Sequence, residues 1–191
     1  MAKQLAVLVG PPGSGKTSFR ARHPEWATVS TEEIRRSVFH CDYDPACEDA
    51  VKRIFAAMLV EVVESPVSIV CVDSSNLTRV ERQPLVEVAR LAGREPIVHV
   101  MSVLPLDILY ARKQEQLQEL ARSHPEIKVN GFPRDRYEEI YRRYEDVGED
   151  EGFAQIVHEV LRFVPLRETR RVRRPPAERP SGLESLPLFV S

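Results

Sequence analysis

Eight residues near the N-terminus constrain the fold of this 191-residue chain most: Gly10-Pro11-Pro12-Gly13-Ser14-Gly15-Lys16-Thr17. They fit the pattern G-x-x-x-x-G-K-[ST] in full. Three of the chain's eight glycines fall within six residues here, which lets the backbone turn tightly and aim successive N–H groups at one point. The apolar run before it, Gln4–Val9, predicts a buried parallel strand. The segment after it, Lys16 to Arg22, predicts a helix that ends before Pro24. Strand, glycine-rich turn and helix together form a phosphate cradle, with the positive end of the helix dipole aimed at the anion. The expected ligand is a nucleoside triphosphate, ATP or GTP. It is cradled by Gly10, Gly13, Ser14, Gly15, Lys16, Thr17 and Ser18, with Lys16 reaching the β- and γ-phosphates and Thr17 ligating Mg²⁺.

The rest of the chain continues the alternation. Ala27–Val29 predicts a second strand, and Ser30 with Glu33 at capping-box spacing starts a helix. Residues 40–47 predict a polar loop. Val51, Ile54, Phe55, Met58, Leu59 and Val62 recur at three- and four-residue steps, so Ala46–Val63 predicts a long helix. Val67–Val72, Ile97–Val103 and Gln155–Val164 predict further strands, and Thr78–Ala92, Leu106–Ala121 and a segment around Tyr137–Tyr144 predict helices. Strands alternating with helices imply an α/β fold with a parallel sheet of about five strands, helices on both faces. Residues 1–164 are expected to form one P-loop domain. Residues 165–191 carry five of the 15 prolines and no helical periodicity, so they read as a disordered tail.

Composition narrows the function classes. The longest apolar runs, such as Phe55–Val60, fall far short of the ~18 residues a membrane span needs. The early apolar stretch stops at Gly10 and does not read as a signal peptide. Three cysteines, Cys41, Cys47 and Cys71, argue against a disulfide framework and for a reducing, cytoplasmic setting. The net charge is −2; residues 165–191 hold six arginines and three glutamates, leaving 21 bases and 26 acids, a net of −5, in residues 1–164. Bulk charge therefore gives no sign of an ordinary basic nucleic-acid binder. His40, Cys41 and Cys47 fit no usual zinc spacing and read as part of the polar loop. Tyr137, Tyr141 and Tyr144, with Ile140, read as one buried helix face, and Trp26 as core. No structural metal is expected.

Four features in order carry a resemblance: Gly10–Thr17; Ser30-Thr31-Glu32-Glu33-Ile34-Arg35; Val72-Asp73-Ser74-Ser75-Asn76-Leu77 at the end of an apolar strand; and Leu109-Tyr110-Ala111-Arg112 on a later helix. Over roughly residues 4–145 the chain resembles the P-loop polynucleotide kinase family. The resemblance implies a 5′-hydroxyl kinase acting on DNA or RNA ends. It makes Glu32 the general base, Arg35 the clamp on the acceptor's phosphate, and Arg112 the lid arginine over the transferring phosphoryl group. Asp73 would sit in the metal shell and beside the acceptor, with Ser75 and Asn76 as substrate contacts. Spacing agrees in part, since Glu32 and Arg35 at i and i+3 share a helix face and arginine suits bidentate phosphate binding. The family usually carries Asp where Glu32 stands, and displacement of a carboxylate by about a bond length can cost ~10²-fold in rate. Its second lid arginine is replaced by Gln116, with Lys113 or Arg122 as candidate substitutes. Two other readings fit the same cradle: a P-loop kinase acting on another hydroxyl (nucleoside, sugar, aminoacyl-tRNA or hydroxymethylated base), or a regulatory ATPase without an acceptor.

Overall fold

Five parallel strands in the order β2-β3-β1-β4-β5 form the centre of the structure, a computed structural model that describes residues 2–160. In chain order the elements are β1 (Gln4–Val9), α1 (Lys16–Arg20), β2 (Ala27–Ser30), α2 (Thr31–Phe39), α3 (Glu48–Glu64), β3 (Ile69–Asp73), α4 (Arg79–Leu91), β4 (Glu95–Met101), α5 (Leu106–Ser123), α6 (Arg134–Arg142), a 3₁₀ turn (Glu149–Glu151) and β5 (Gln155–Glu159). The tail predicted for residues 165–191 lies outside the described residues.

β1 is central because its residues are apolar on both sides. Leu5, Val7 and Val9 pack with Val29, Val70, Val72, Val98 and Val100 against Leu59 and Val63 of α3 and Leu85 and Ala89 of α4. On the opposite face Leu8 meets Cys71, Met101 and Phe19, with Trp26 packed beside them. A strand buried on both faces loses the polar alternation of a half-solvated one, and each fully buried Val or Leu adds about 1.5–3 kcal/mol.

Helix ends follow local chemistry. The Ser30 hydroxyl accepts the Glu33 amide at 3.3 Å and caps α2. Thr78 and Glu81 form a full capping box on α4, satisfying otherwise orphaned amides. α2 stops at His40, which adopts the left-handed region at φ 50°.

The order 2-3-1-4-5 leaves the carboxyl ends of β1 and β3 adjacent, at the point where the chain turns to opposite sides of the sheet. Ligands of open parallel sheets bind at such crevices. The register aligns Ser30 with Asp73 at the carboxyl ends of β2 and β3, so three loops converge there.

Two buried arginines hold this framework. Arg82 is fully buried; its fork grips both Glu151 carboxylate oxygens at 2.7 Å, and it donates to the carbonyls of Asn76, Leu77, Glu145 and Asp146. Arg94 donates to the carbonyls of Gln4, Val63, Ser65, Val67 and Ser68, closing the end of α3 onto the sheet.

Candidate active site

The phosphate loop leaves β1 at Gly10 and re-enters regular structure at Lys16. Gly10, Gly13 and Gly15 have φ of 156°, 82° and 97°. At Gly13 the requirement is double, because a Cβ there would also collide with the backbone carbonyl oxygen of Leu109 on α5. The loop is fixed from two sides: the Gly10 amide donates to the Ser75 carbonyl at 3.1 Å, and the Tyr137 hydroxyl donates to the Pro12 carbonyl at 2.7 Å. Ser14 Oγ is buried beneath the loop without a hydrogen-bond partner among the described residues.

Beside the loop opens a cavity of about 380 Å³ lined by residues from every converging segment. Gly13, Gly15, Lys16 and Thr17 line it from the loop, Thr31, Glu32 and Arg35 from α2, and Asp73, Ser74 and Ser75 from the end of β3. Lys113 and Gln116 of α5 face it, as do Arg136, Ile140 and Arg143.

Lys16 Nζ donates to the carbonyls of Gly10 and Pro11 at 2.6 and 3.1 Å. Burial drags its ammonium pKa down to about 8, with Asp73 and Glu32 pulling the other way. Burial pushes the Asp73 carboxyl above the usual aspartate range, and Lys16 and Arg20 only partly counter it. Ser30 Oγ donates to Asp73 Oδ2 at 3.4 Å, and Arg20 stands 3.6 Å from the same oxygen. Glu32 behaves in the opposite way. Burial opposes its ionisation, but Lys113, Arg36 and Lys16 outweigh that and hold it below the usual glutamate range. Glu32 Oε1 accepts from Arg36 at 2.7 Å and from Lys113 at 3.4 Å.

The residues expected from sequence divide into two groups. Gly13, Gly15, Lys16, Thr17, Glu32, Arg35, Asp73 and Ser75 all line the one cavity. Gly10 and Ser14 lie buried under it, and Ser18 is exposed outside its lining. Asn76 does not face the cavity: it is buried at φ 47°, and its side-chain amide donates to the Leu8 carbonyl at 2.8 Å, tying the loop to β1. Arg112 is also outside the lining, which Lys113 occupies instead. Leu109, Arg112, Lys113 and Gln116 share one stripe of α5, and Leu109 abuts the loop at Gly13; from that stripe it is Lys113 and Gln116 that reach the cavity. Arg35 lines the cavity, but its Nε and Nη2 are committed to both oxygens of Glu48 at 2.7 and 2.8 Å. Lys52, Tyr43 and Arg136 were invisible as site residues, because only tertiary packing brings the 40–47 loop, α3 and α6 to one wall.

The AAA_33 family, described as an AAA domain, matches residues 5–131. This chain belongs to the AAA_33 family. The match covers the phosphate loop, α2, the end of β3 and α5, the four regions that carried the resemblance to polynucleotide kinases, and it agrees with that resemblance. No curated protein matches the sequence. Among solved structures, a candidate kinase from Chloroflexus aurantiacus is 18% identical, with a TM-score of 0.61 over 83% of this chain and 89% of that one. Kti12 from Chaetomium thermophilum, solved with ADP-AlF3, is 20% identical, with a TM-score of 0.52 over 81% and 88%. The PezAT toxin-antitoxin system of Streptococcus pneumoniae is 13% identical, with a TM-score of 0.52 over 66% and 57%. AAA_33 membership and these likenesses give the chain the nucleotide-binding fold of P-loop kinases. Among the described residues no helix is long and apolar enough to cross a membrane.

Proposed function

We propose that this protein is a kinase that transfers the γ-phosphoryl group of ATP or GTP to the 5′-hydroxyl end of a polynucleotide. The observation that carries the reading is the meeting of Lys16, Glu32 and Lys113 in one cavity. A pure nucleotide switch has no use for a carboxylate kept ionised beside the outer phosphate, whereas an acceptor hydroxyl does.

In this reading the backbone amides of Gly13 to Thr17 and the Lys16 ammonium hold the phosphates. Lys16 exchanges its loop carbonyls for phosphate oxygens, a stronger partner for an ammonium. The donor set suits Mg²⁺: Thr17 supplies a hydroxyl and Asp73 a carboxylate, both hard oxygen ligands lining the cavity. These two would hold the ion, which neutralises phosphate charge when bound. Glu32 accepts the proton of the incoming hydroxyl as its oxygen bonds to the γ-phosphorus and the bridging β–γ oxygen leaves with the nucleoside diphosphate. Lys113 supplies positive charge to the moving group, the task expected of Arg112. Arg35 and Ser75 form part of the acceptor wall, and Asp73, which would hold the metal, lines the same cavity. Catalysis is positioning and charge stabilisation.

A second reading keeps the kinase chemistry with a small acceptor. The net −5 of residues 1–164 favours it, and the cavity falls in the size range of small-molecule sites.

The test is a panel of acceptors with γ-labelled nucleotide: 5′-hydroxyl DNA and RNA oligonucleotides, nucleosides and sugars. Label on oligonucleotide ends supports the first reading. Label confined to nucleosides or sugars supports the second, and released phosphate alone overturns both.

A further inference from the structure

One wall of the cavity has more positive charge than its carboxylates use. It is built from Tyr43 in the 40–47 loop, Lys52 on α3 and Arg136 on α6, all lining the cavity with Arg35 and Glu48. Glu48 is spent on Arg35 through two hydrogen bonds. Asp42, also at this wall, accepts the Asn130 amide at 2.8 Å. Arg143 is paired with Glu81. Arg136 and Lys52 are different: neither makes an ion pair among the described residues.

Arg136 is nevertheless held in place. Its guanidinium carbon lies 3.6 Å from the centroid of the Tyr43 ring and 5.7 Å from that of Phe132. The Arg35 guanidinium carbon stands 5.8 Å from the centroid of the same Tyr43 ring. A stacked guanidinium spends its face on the ring, while its N–H donors lie in its plane and point outward. Ring contact thus orients Arg136 without using its hydrogen-bonding edge. That is the arrangement wanted for a bidentate grip on a tetrahedral anion.

We infer that Arg136, oriented by Tyr43, and Lys52 form an anion subsite that grips the phosphate adjoining the acceptor hydroxyl. The inference rests on the kinase reading above and deepens it. It moves the grip from the α2 arginine, whose fork is closed by Glu48, to α6 and α3. It also makes the enzyme selective for hydroxyls that neighbour a phosphate, as at a nucleic-acid end, over neutral sugars.

Adenosine 3′-monophosphate carries both groups, and adenosine lacks the phosphate. Their binding to the full chain is measured by calorimetry, with the triphosphate site filled by a non-hydrolysable ATP analogue. The wild type is expected to prefer the 3′-monophosphate by about 10-fold or more, as one charge-assisted bidentate contact allows. Arg136→Ala and Lys52→Ala should each erase most of that preference. Arg136→Lys, which keeps the stem and charge but not the fork, should retain part of it. Arg142→Ala, an exposed α6 neighbour paired with Glu138, should leave it intact. Circular dichroism and affinity for a fluorescent ATP analogue report whether each variant is folded. Absence of a preference in the wild type, or its survival in both alanine variants, overturns the inference. Transfer of labelled phosphate separates the two claims. Binding by this grip without transfer sinks the kinase reading and leaves the subsite standing; equally efficient transfer to adenosine and its 3′-monophosphate does the reverse.

Discussion

The hydroxyl of Tyr137 donates to the carbonyl oxygen of Pro12 at 2.7 Å, across 125 residues of sequence. Tyr137 is fully buried, and its ring packs edge-on against Tyr110 and Phe132. Burial raises its phenol pKa, with Tyr141 adding to the effect, so the hydroxyl stays a neutral donor at all ordinary pH. Helix α6 is thereby bonded directly to the phosphate loop.

Tyr137→Phe removes that donor and leaves the ring packing intact. The Pro12 carbonyl loses a buried partner, a loss of about 1–2 kcal/mol in stability. Because the freed loop must be ordered again by ligand, nucleotide affinity should fall several-fold. Urea denaturation and titration with a fluorescent nucleotide measure the two effects separately.

Lys16 gives a pH signature. Its native pKa of about 8 lies below the ordinary 10.5, so the unfolded chain binds more protons between those values and stability rises with pH across that window. Lys16→Met removes a buried charge. The variant should be at least as stable as the wild type at pH 7, and the gap should close as pH rises from 8 to 10.5. Nucleotide binding favours the charged lysine, so wild-type affinity should weaken as pH climbs past 8. Thermal melts and nucleotide Kd values between pH 7 and 10 check both signs.

Arg82 and Glu151 form a buried pair, both nearly sealed from solvent. Arg82→Ala strands a carboxylate and four backbone carbonyls, an expected cost of about 3–5 kcal/mol. Burial opposes ionisation of Glu151, but the Arg82 fork and the Gly148 amide outweigh it and hold its carboxyl below the usual range. Its contribution is therefore complete above the ordinary glutamate pKa and is lost as pH falls through the native one. Urea midpoints for wild type and variant from pH 7 downward should converge in acid.

Much of the fold was legible because its signals are local. The run Leu5–Val9, the glycines of the loop and the capping pair Ser30/Glu33 each act within a few residues. The candidate site was legible where it follows a strand end, as at Lys16, Thr17, Glu32 and Asp73. It was not legible where tertiary partners decide. Asn76, a substrate contact by the resemblance, has its side-chain amide on the Leu8 carbonyl, a partner 68 residues away in sequence. Arg112 and Lys113 are adjacent on one stripe of α5, and no local pattern says which of them lines the cavity. Arg82 and Arg94 gave no signal, because their partners are mostly backbone carbonyls distant in sequence. The stacking of Arg136 on Tyr43 joins two segments that share no local pattern.

The central claim is that a carboxylate in the phosphate cavity activates an acceptor hydroxyl, and Glu32→Gln tests it most directly. The glutamine is nearly isosteric and keeps contact with Lys113 and Arg36 through its oxygen. The measurement is single-turnover transfer of labelled γ-phosphate to a 5′-hydroxyl oligonucleotide, with nucleotide Kd determined on the same samples. The account predicts end-labelling by the wild type, a loss of roughly 10²–10⁴-fold in the variant, as removal of a general base costs, and a Kd changed by less than about 3-fold. An undiminished transfer rate in Glu32→Gln would contradict it.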